Sequence, residues 1–223
     1  MKARLAKEEY ICRMAIAPDA YSGLVAALPA GVTLVAVSKT KPVEDIQALY
    51  DLGQRDFGEN YVQELLGKQA ALPADIRWHF IGHLQSNKVR QIAPFVHLIH
   101  GVDSGSLLHE IGKQGVKIGR RLDCLLQVHI AQEETKFGFQ PGELATRAVE
   151  GVRIRGLMGM ATNGASEAEV RREFCGLAEL YARHEEWDIL SMGMSDDYKL
   201  ALECGSTMIR IGSLIFGART AQP

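Results

Sequence analysis

The chain has 223 residues, of which 47% are hydrophobic and 23% charged, and a formal net charge of −2. This fits one domain, or one barrel of modest size, with a true core. With no basic run longer than two residues, generic nucleic-acid binding has little electrostatic support. No apolar run approaches the ~20 residues of a membrane span. The charged start MKARLAKEEY has no apolar signal core, so a cytoplasmic location is expected.

Short apolar runs recur along the chain and read as strands. They are TLVAVSK (33–39), RDFGEN (55–60), RWHFIG (77–82), HLIHGVD (97–103), DCLLQVHI (123–130), RIRGLMGM (153–160), DILSMGMS (188–195) and TMIRIGS (207–213). The second, short and polar, is the weakest. Helical spacing fills the gaps. PVEDIQALYDLG begins at Pro42, carries acids in its first turn and stops at Gly53. Ile46, Leu49 and Tyr50 share one of its faces. SEAEVRREFCGLAELYARHEE places Val170, Phe174, Leu177 and Tyr181 at helical spacing. Before Val32 the pattern is loose, and Pro18 reads as a break. The cysteines, Cys12, Cys124, Cys175 and Cys204, form no Cys-x-x-Cys pair and read as reduced, packing thiols.

Eight strands alternating with helices require crossover connections and hence a parallel sheet. An open doubly wound sheet is an alternative, but eight units in this length point to a single (β/α)8 TIM barrel. In such a barrel the chemistry sits where strands end at their C-termini. The residues there are Lys39, Asn60, His83, Asp103, His129, Met160, Ser195 and Ser213.

Strand alternation sharpens the set. Val35, Val37 and Lys39 share a face; so do Ser191, Gly193 and Ser195, and Met208, Arg210 and Gly212. If those faces point inward, Lys39, Ser195 and Arg210 converge on the barrel mouth. A lysine at a strand exit is usually a solvated loop residue, and Lys41 is the ordinary case. Arg210, set among Met208, Ile209 and Ile211, needs an acceptor or anionic partner, structural or bound. The step Gly212–Ser213 into a short helical turn resembles a phosphate cup, which barrels often place after strands seven and eight. His97 and His100 lack a carboxylate pair that would give them metal geometry, so they read as structural; His83 is placed near the pocket. Asp196 and Asp197 read as caps of the next helix. An amine facing a phosphate cup fits pyridoxal 5′-phosphate, and equally an aldolase acting on a phosphorylated sugar.

The motifs AVSKTKP, FGENYVQE, WHFIGHLQSNK, GLMGMA, SMGMSDDY and GSTMIRIGSLIFGAR, in this order, resemble the pyridoxal-phosphate homeostasis protein family, which is related to the N-terminal barrel of alanine racemase. The resemblance runs from about Val32 to Arg219. It implies one PLP-binding (β/α)8 barrel over residues 1–223 with an N-terminal helical extension, and a covalent aldimine of pyridoxal 5′-phosphate at Lys39. It places Asn60, His83 and Met160 around the cofactor, and Ser195, Gly212 and Ser213 at its phosphate. Arg210 corresponds to the arginine facing the pyridine nitrogen in the racemase; whether it does so here or leans toward the phosphate is left open. Lys136 and Gly138 of EETKFGF stand where the family has them.

The implied role is a cofactor carrier and buffer that supplies apo-enzymes, acts as a monomer, and touches neither nucleic acid nor membrane. The alternative is a pyridoxal-phosphate-dependent racemase or decarboxylase. The racemase takes a second base, a tyrosine, from a C-terminal β-domain. The sequence ends at Pro223, just after the eighth unit, so that domain is expected to be absent, and little catalysis with it.

Overall fold

The computed structural model describes residues 16–133, 137–144 and 148–217. Eight parallel strands close into a barrel in chain order: β1 (Thr33–Val37), β2 (Asp56–Glu59), β3 (Arg77–Phe80), β4 (Leu98–Val102), β5 (Leu122–Gln127), β6 (Val152–Met158), β7 (Ile189–Ser191) and β8 (Met208–Ile211). β1 closes the ring on β8, with Val35 opposite Arg210. The TIM-barrel expectation is met. Before β1 lies α1 (Pro18–Ala27). Crossovers carry α2 (Val43–Asp51), α3 (Val62–Ala71), α4 (Val89–Ile92), α5 (Gly105–Lys117), α6 (Glu167–Tyr181) and α7 (Tyr198–Glu203); α8 (Ser213–Phe216) follows β8. Between β5 and β6 the described residues hold a 3-10 turn, Pro141–Glu143, and no α-helix.

Two apolar layers make the core. Inside the ring pack Val35, Leu98, Leu125, Met158, Ile189 and Met208. Residues of opposite parity, such as Leu34, Ala36, Phe57 and Ile209, face the helices. The face assigned to Val35, Val37 and Lys39 is therefore the inner one. The start of α6 follows from its own sequence. Ser166 and Glu169 form a reciprocal capping box at α6, and Val170, Phe174 and Leu177 bury its inner face.

Four readings are corrected. Pro18 starts a helix rather than breaking one, because the first helical position needs no N–H. The weakest strand is β7, with three residues, not β2, which is buried throughout. Gly193 ends β7 early: its φ is 95°, and a Cβ there would stand 2.6 Å from the Ala201 Cβ. Asp197 occupies the N-cap position of α7, but its carboxylate accepts from the Met194 N–H and makes no capping bond. Finally, Cys175 and Cys204 are joined as a disulfide with Cα atoms 5.1 Å apart, not held as reduced thiols. The packing of α6 on α7 brings them together, and a separation of 29 residues gives no local cue. Cys124 remains a buried thiol whose pKa burial pushes up; Cys12 lies outside the described residues.

Candidate functional site

At the C-terminal mouth of the barrel an open cleft of about 250 Å³ is lined by Lys39, Lys41, Ser195, Arg210, Gly212 and Ser213, with Val37, Met194, Asp196 and Gly217. Five of the eight predicted binding residues therefore meet. Lys39 leaves β1 two residues past its end. Thr40 then takes φ 64°, rare for a β-branched residue, and such outliers gather at working sites. Its N–H is held by the Glu64 carboxylate. The turn separates the two lysines. Lys41 Nζ donates to the Phe216 carbonyl at 2.8 Å, tying this amine to the end of α8.

The other three predicted residues sit beside the cleft rather than in its lining. Met160 packs partly on the inner core and lines an adjoining cavity that shares Met194 and Asp196 with the cleft. Asn60 follows β2, and its buried Oδ1 has no hydrogen-bond partner. Gly82 lets the β3 exit press on it, since a Cβ there would lie 2.6 Å from the Asn60 carbonyl oxygen. His83 is half exposed, hydrogen-bonded to Asp103 at 2.8 Å and stacked on Phe137 with ring centroids 4.3 Å apart. Lys136 falls outside the described residues. Gly138 is described, with φ 148° beside the β5 exit.

Arg210 is buried inside the ring. It donates from Nη1 to Ser191 Oγ at 2.7 Å and from Nη2 to the Gly159 carbonyl at 3.1 Å. Both acceptors are neutral. Burial draws its pKa down to about 10, partly offset by the field of Asp197; the guanidinium stays charged at neutral pH. On the phosphate side Gly212 N–H reaches Ser195 Oγ at 3.4 Å, a long bond.

Two buried networks support this mouth; His100 is the structural histidine expected and Arg210 has the acceptors it needed, but the sequence reading did not link them to their partners. Outside β1 and β2, Lys68 Nζ donates to Glu59 Oε1 and to the Ser38 carbonyl, both at 2.7 Å, and to Glu64. Ser38 Oγ donates to Glu59 at 2.6 Å. Burial pushes the Glu59 carboxyl above its usual range, against the pull of Lys68. The signal was present: Glu59 is an acid inside an otherwise buried strand, and such an acid needs a partner.

The second network crosses the barrel. Behind Arg210, Ser191 Oγ lies 3.1 Å from His100 Nδ1; His100 Nε2 lies 2.9 Å from His79 Nδ1; His79 Nε2 lies 3.0 Å from Asp56 Oδ1. Burial opposes ionisation of Asp56, but hydrogen bonds from Arg77 and His79 outweigh it and hold the carboxyl at about 2. Burial keeps His100 neutral. With Asp56 ionised, His79 donates from Nε2. If His79 is neutral, His100 must then donate to His79, and Ser191 to His100, so the chain has one polarity.

The family model described as the N-terminal domain of alanine racemase matches residues 21–220. The chain is 43% identical over 199 residues to a pyridoxal phosphate homeostasis protein of Pseudomonas aeruginosa, covering 86% of each chain. It is 41% identical over 207 residues to the protein of that name from Escherichia coli, covering 86% of this chain and 87% of that one. The chain belongs to the pyridoxal phosphate homeostasis protein family. A solved structure of similar shape is that of PipY from Synechococcus elongatus, determined with PLP bound. It has a TM-score of 0.82 and 36% identity, over 90% of this chain and 99% of that one. Alanine racemase from E. faecalis matches with TM-score 0.70 and 15% identity, over 87% of this chain and 56% of that one; that likeness shows the shared barrel alone. No helix among the described residues is long and apolar enough to cross a membrane.

Proposed function

We propose that the chain holds pyridoxal 5′-phosphate in the mouth cleft, with Lys39 as its covalent anchor, and carries and buffers the cofactor within the cytoplasm. One observation carries this reading: a lysine amine, two serine hydroxyls and a buried arginine meet in a single open cleft. Each fits a part of the group. The Lys39 amine suits the aldehyde. Ser195, Ser213 and the Gly212 N–H suit the phosphate, whose oxygens would replace the long bond now made to Ser195. Arg210, with neutral acceptors only, gains from an acceptor on the ring or an anion nearby. The unpartnered Asn60 Oδ1 adds an acceptor at the rim. The cofactor itself supplies an electron sink for amino-acid chemistry.

A carrier rather than an enzyme is favoured by the cleft. A racemase needs bases on both faces of its substrate. Among the described residues lining the cleft there is no histidine or tyrosine; besides Lys39 and Arg210, its titratable groups are Asp196 and Lys41, whose amine donates to the Phe216 carbonyl. The open mouth leaves the anchor accessible to small amines and to water. We read residues 1–223 as one such domain, monomeric, delivering cofactor to apo-enzymes. The test is to mix the loaded protein with D- or L-alanine. The visible spectrum should shift as amines exchange, without racemisation or decarboxylation. Turnover at the ~1–1,000 per second typical of enzymes would overturn the carrier reading. A protein that purifies colourless and takes up no pyridoxal 5′-phosphate would overturn the binding reading and favour an aldolase.

A further inference from the structure

At the opposite, N-terminal end of the barrel, three adjacent strands bring together residues that a cofactor carrier does not need. Asp56 opens β2, His79 lies within β3, and His97 directly precedes β4. One carboxylate oxygen and one nitrogen from each imidazole lie within 4.8 Å of one another. They line a cleft of about 390 Å³ together with Arg77, Arg155 and Asp188. This end of a TIM barrel ordinarily serves stability, so a cluster of this chemistry there calls for an explanation.

We propose that Asp56, His79 and His97 form a binding site for a divalent transition-metal ion of the zinc class, independent of the cofactor cleft. Two imidazoles and a carboxylate with one position open to solvent are a common ligand set for such ions. Ligands of a tetrahedral zinc ion, at about 2.0–2.1 Å from the metal, stand about 3.3 Å apart. His79 Nε2 and Asp56 Oδ1, 3.0 Å apart, are already close to that spacing. His97 supplies the movable arm. It is exposed, its ring tilts over His79 with centroids 5.4 Å apart, and among the described residues its ring nitrogens have no hydrogen-bond partner.

The surroundings supply the outer support that metal ligands use. His79 is backed through Nδ1 by His100. Asp56 is gripped by Arg77, which bonds both carboxylate oxygens. Turning Oδ1 to a metal costs one of those bonds and leaves Oδ2 on Arg77. The guanidinium of Arg155 does not attract an anion in place of the cation, because Asp123 and Asp188 already neutralise it.

For the chain polarity with neutral imidazoles, protons balance without release. A metal on His79 Nε2 moves that ring's N–H to Nδ1, which then donates to His100 Nε2. His100 in turn carries its N–H on Nδ1, facing Ser191, and the Ser191 hydroxyl turns away. Each group keeps the number of protons it had.

The test is equilibrium dialysis of the cofactor-loaded protein against zinc sulfate in the micromolar range, followed by metal analysis. One equivalent per chain is expected, and His97→Ala, at an exposed position, should weaken uptake by at least about tenfold. Histidine 15N spectra of the unsubstituted protein, which need no variant to fold, should show metal-shifted nitrogens at His79 and His97 and a changed tautomer at His100. Absence of stoichiometric uptake, uptake unchanged in His97→Ala, or metal-shifted signals only at other histidines would each overturn the site. Cofactor absorbance in the same samples separates this outcome from any failure of the carrier reading.

Discussion

Arg210 Nη1 lies 2.7 Å from Ser191 Oγ, both buried inside the strand ring. The hydroxyl serves two neighbours at once: it accepts from the guanidinium and lies 3.1 Å from His100. Ser191→Ala therefore strips a buried cation of one of its two neutral acceptors. Loss of a bond to a charged group costs about 1.5–3 kcal/mol, which denaturant titration would register. An unchanged midpoint would mean that water replaces the hydroxyl without loss.

Lys39 and Lys41 both line the cleft, yet they should behave differently. Lys39 follows the inner face of Val35 and Val37, whereas Lys41 lies past the turn at Thr40 and donates to the Phe216 carbonyl. After borohydride reduction of the loaded protein, peptide mapping should find the pyridoxyl group on Lys39. Lys39→Ala should abolish it, whereas Lys41→Ala should retain it. A stable adduct on Lys41 in the Lys39→Ala protein would reverse the assignment.

Ser195→Ala removes a hydroxyl from the phosphate side. Affinity for pyridoxal 5′-phosphate should drop roughly ten- to a hundred-fold, the equivalent of about 1.5–3 kcal/mol. Unphosphorylated pyridoxal should bind far more weakly than its phosphate to the parent, and should be little affected by the change. Equal losses for the two ligands would remove Ser195 from the phosphate.

Glu59 and Lys68 are a buried pair, 2.7 Å apart. Lys68→Met leaves the Glu59 carboxylate uncompensated and should cost about 3–5 kcal/mol. The double change Glu59→Gln with Lys68→Met should recover part of that loss, since contacting residues are not additive. Simple additivity of the two single changes would show that the pair is not coupled.

Acid stability should depend on Asp123. Burial opposes its ionisation, but hydrogen bonds from Arg153 and Arg155 hold the carboxyl below its usual 3.8. A folded value lower than the unfolded one adds stability above the unfolded value, and that stability is lost as pH falls through the folded value. Asp123→Asn should thus be less stable than the parent at pH 7 and converge with it at the acid end. Stability curves that keep a constant offset down to pH 2 would contradict the coupling.

The sequence by itself determined the barrel and the principal members of its mouth. Period-two alternation in β1 and β8 put Lys39 and Arg210 on the face that also carries Val35 and Met208, and strand parity cannot change without turning the core outward. It also placed Ser195, Gly212 and Ser213 after the last two strands, where the chain must emerge at the same end. Only the tertiary structure decided what lies side by side across the ring. Asp56, His79, His100, Ser191 and Arg210 come from five strands, and no local pattern links residues whose contact depends on closure and stagger of the sheet. The same holds for Lys68 reaching Glu59 and Ser38 from α3, and for Cys175 meeting Cys204. The nearness of His97 to Asp56, 41 positions earlier on β2, is likewise set by the closed sheet. Periodicity reports which way a side chain faces. Its neighbours on that face are set by the register of the closed sheet, which a single strand does not contain.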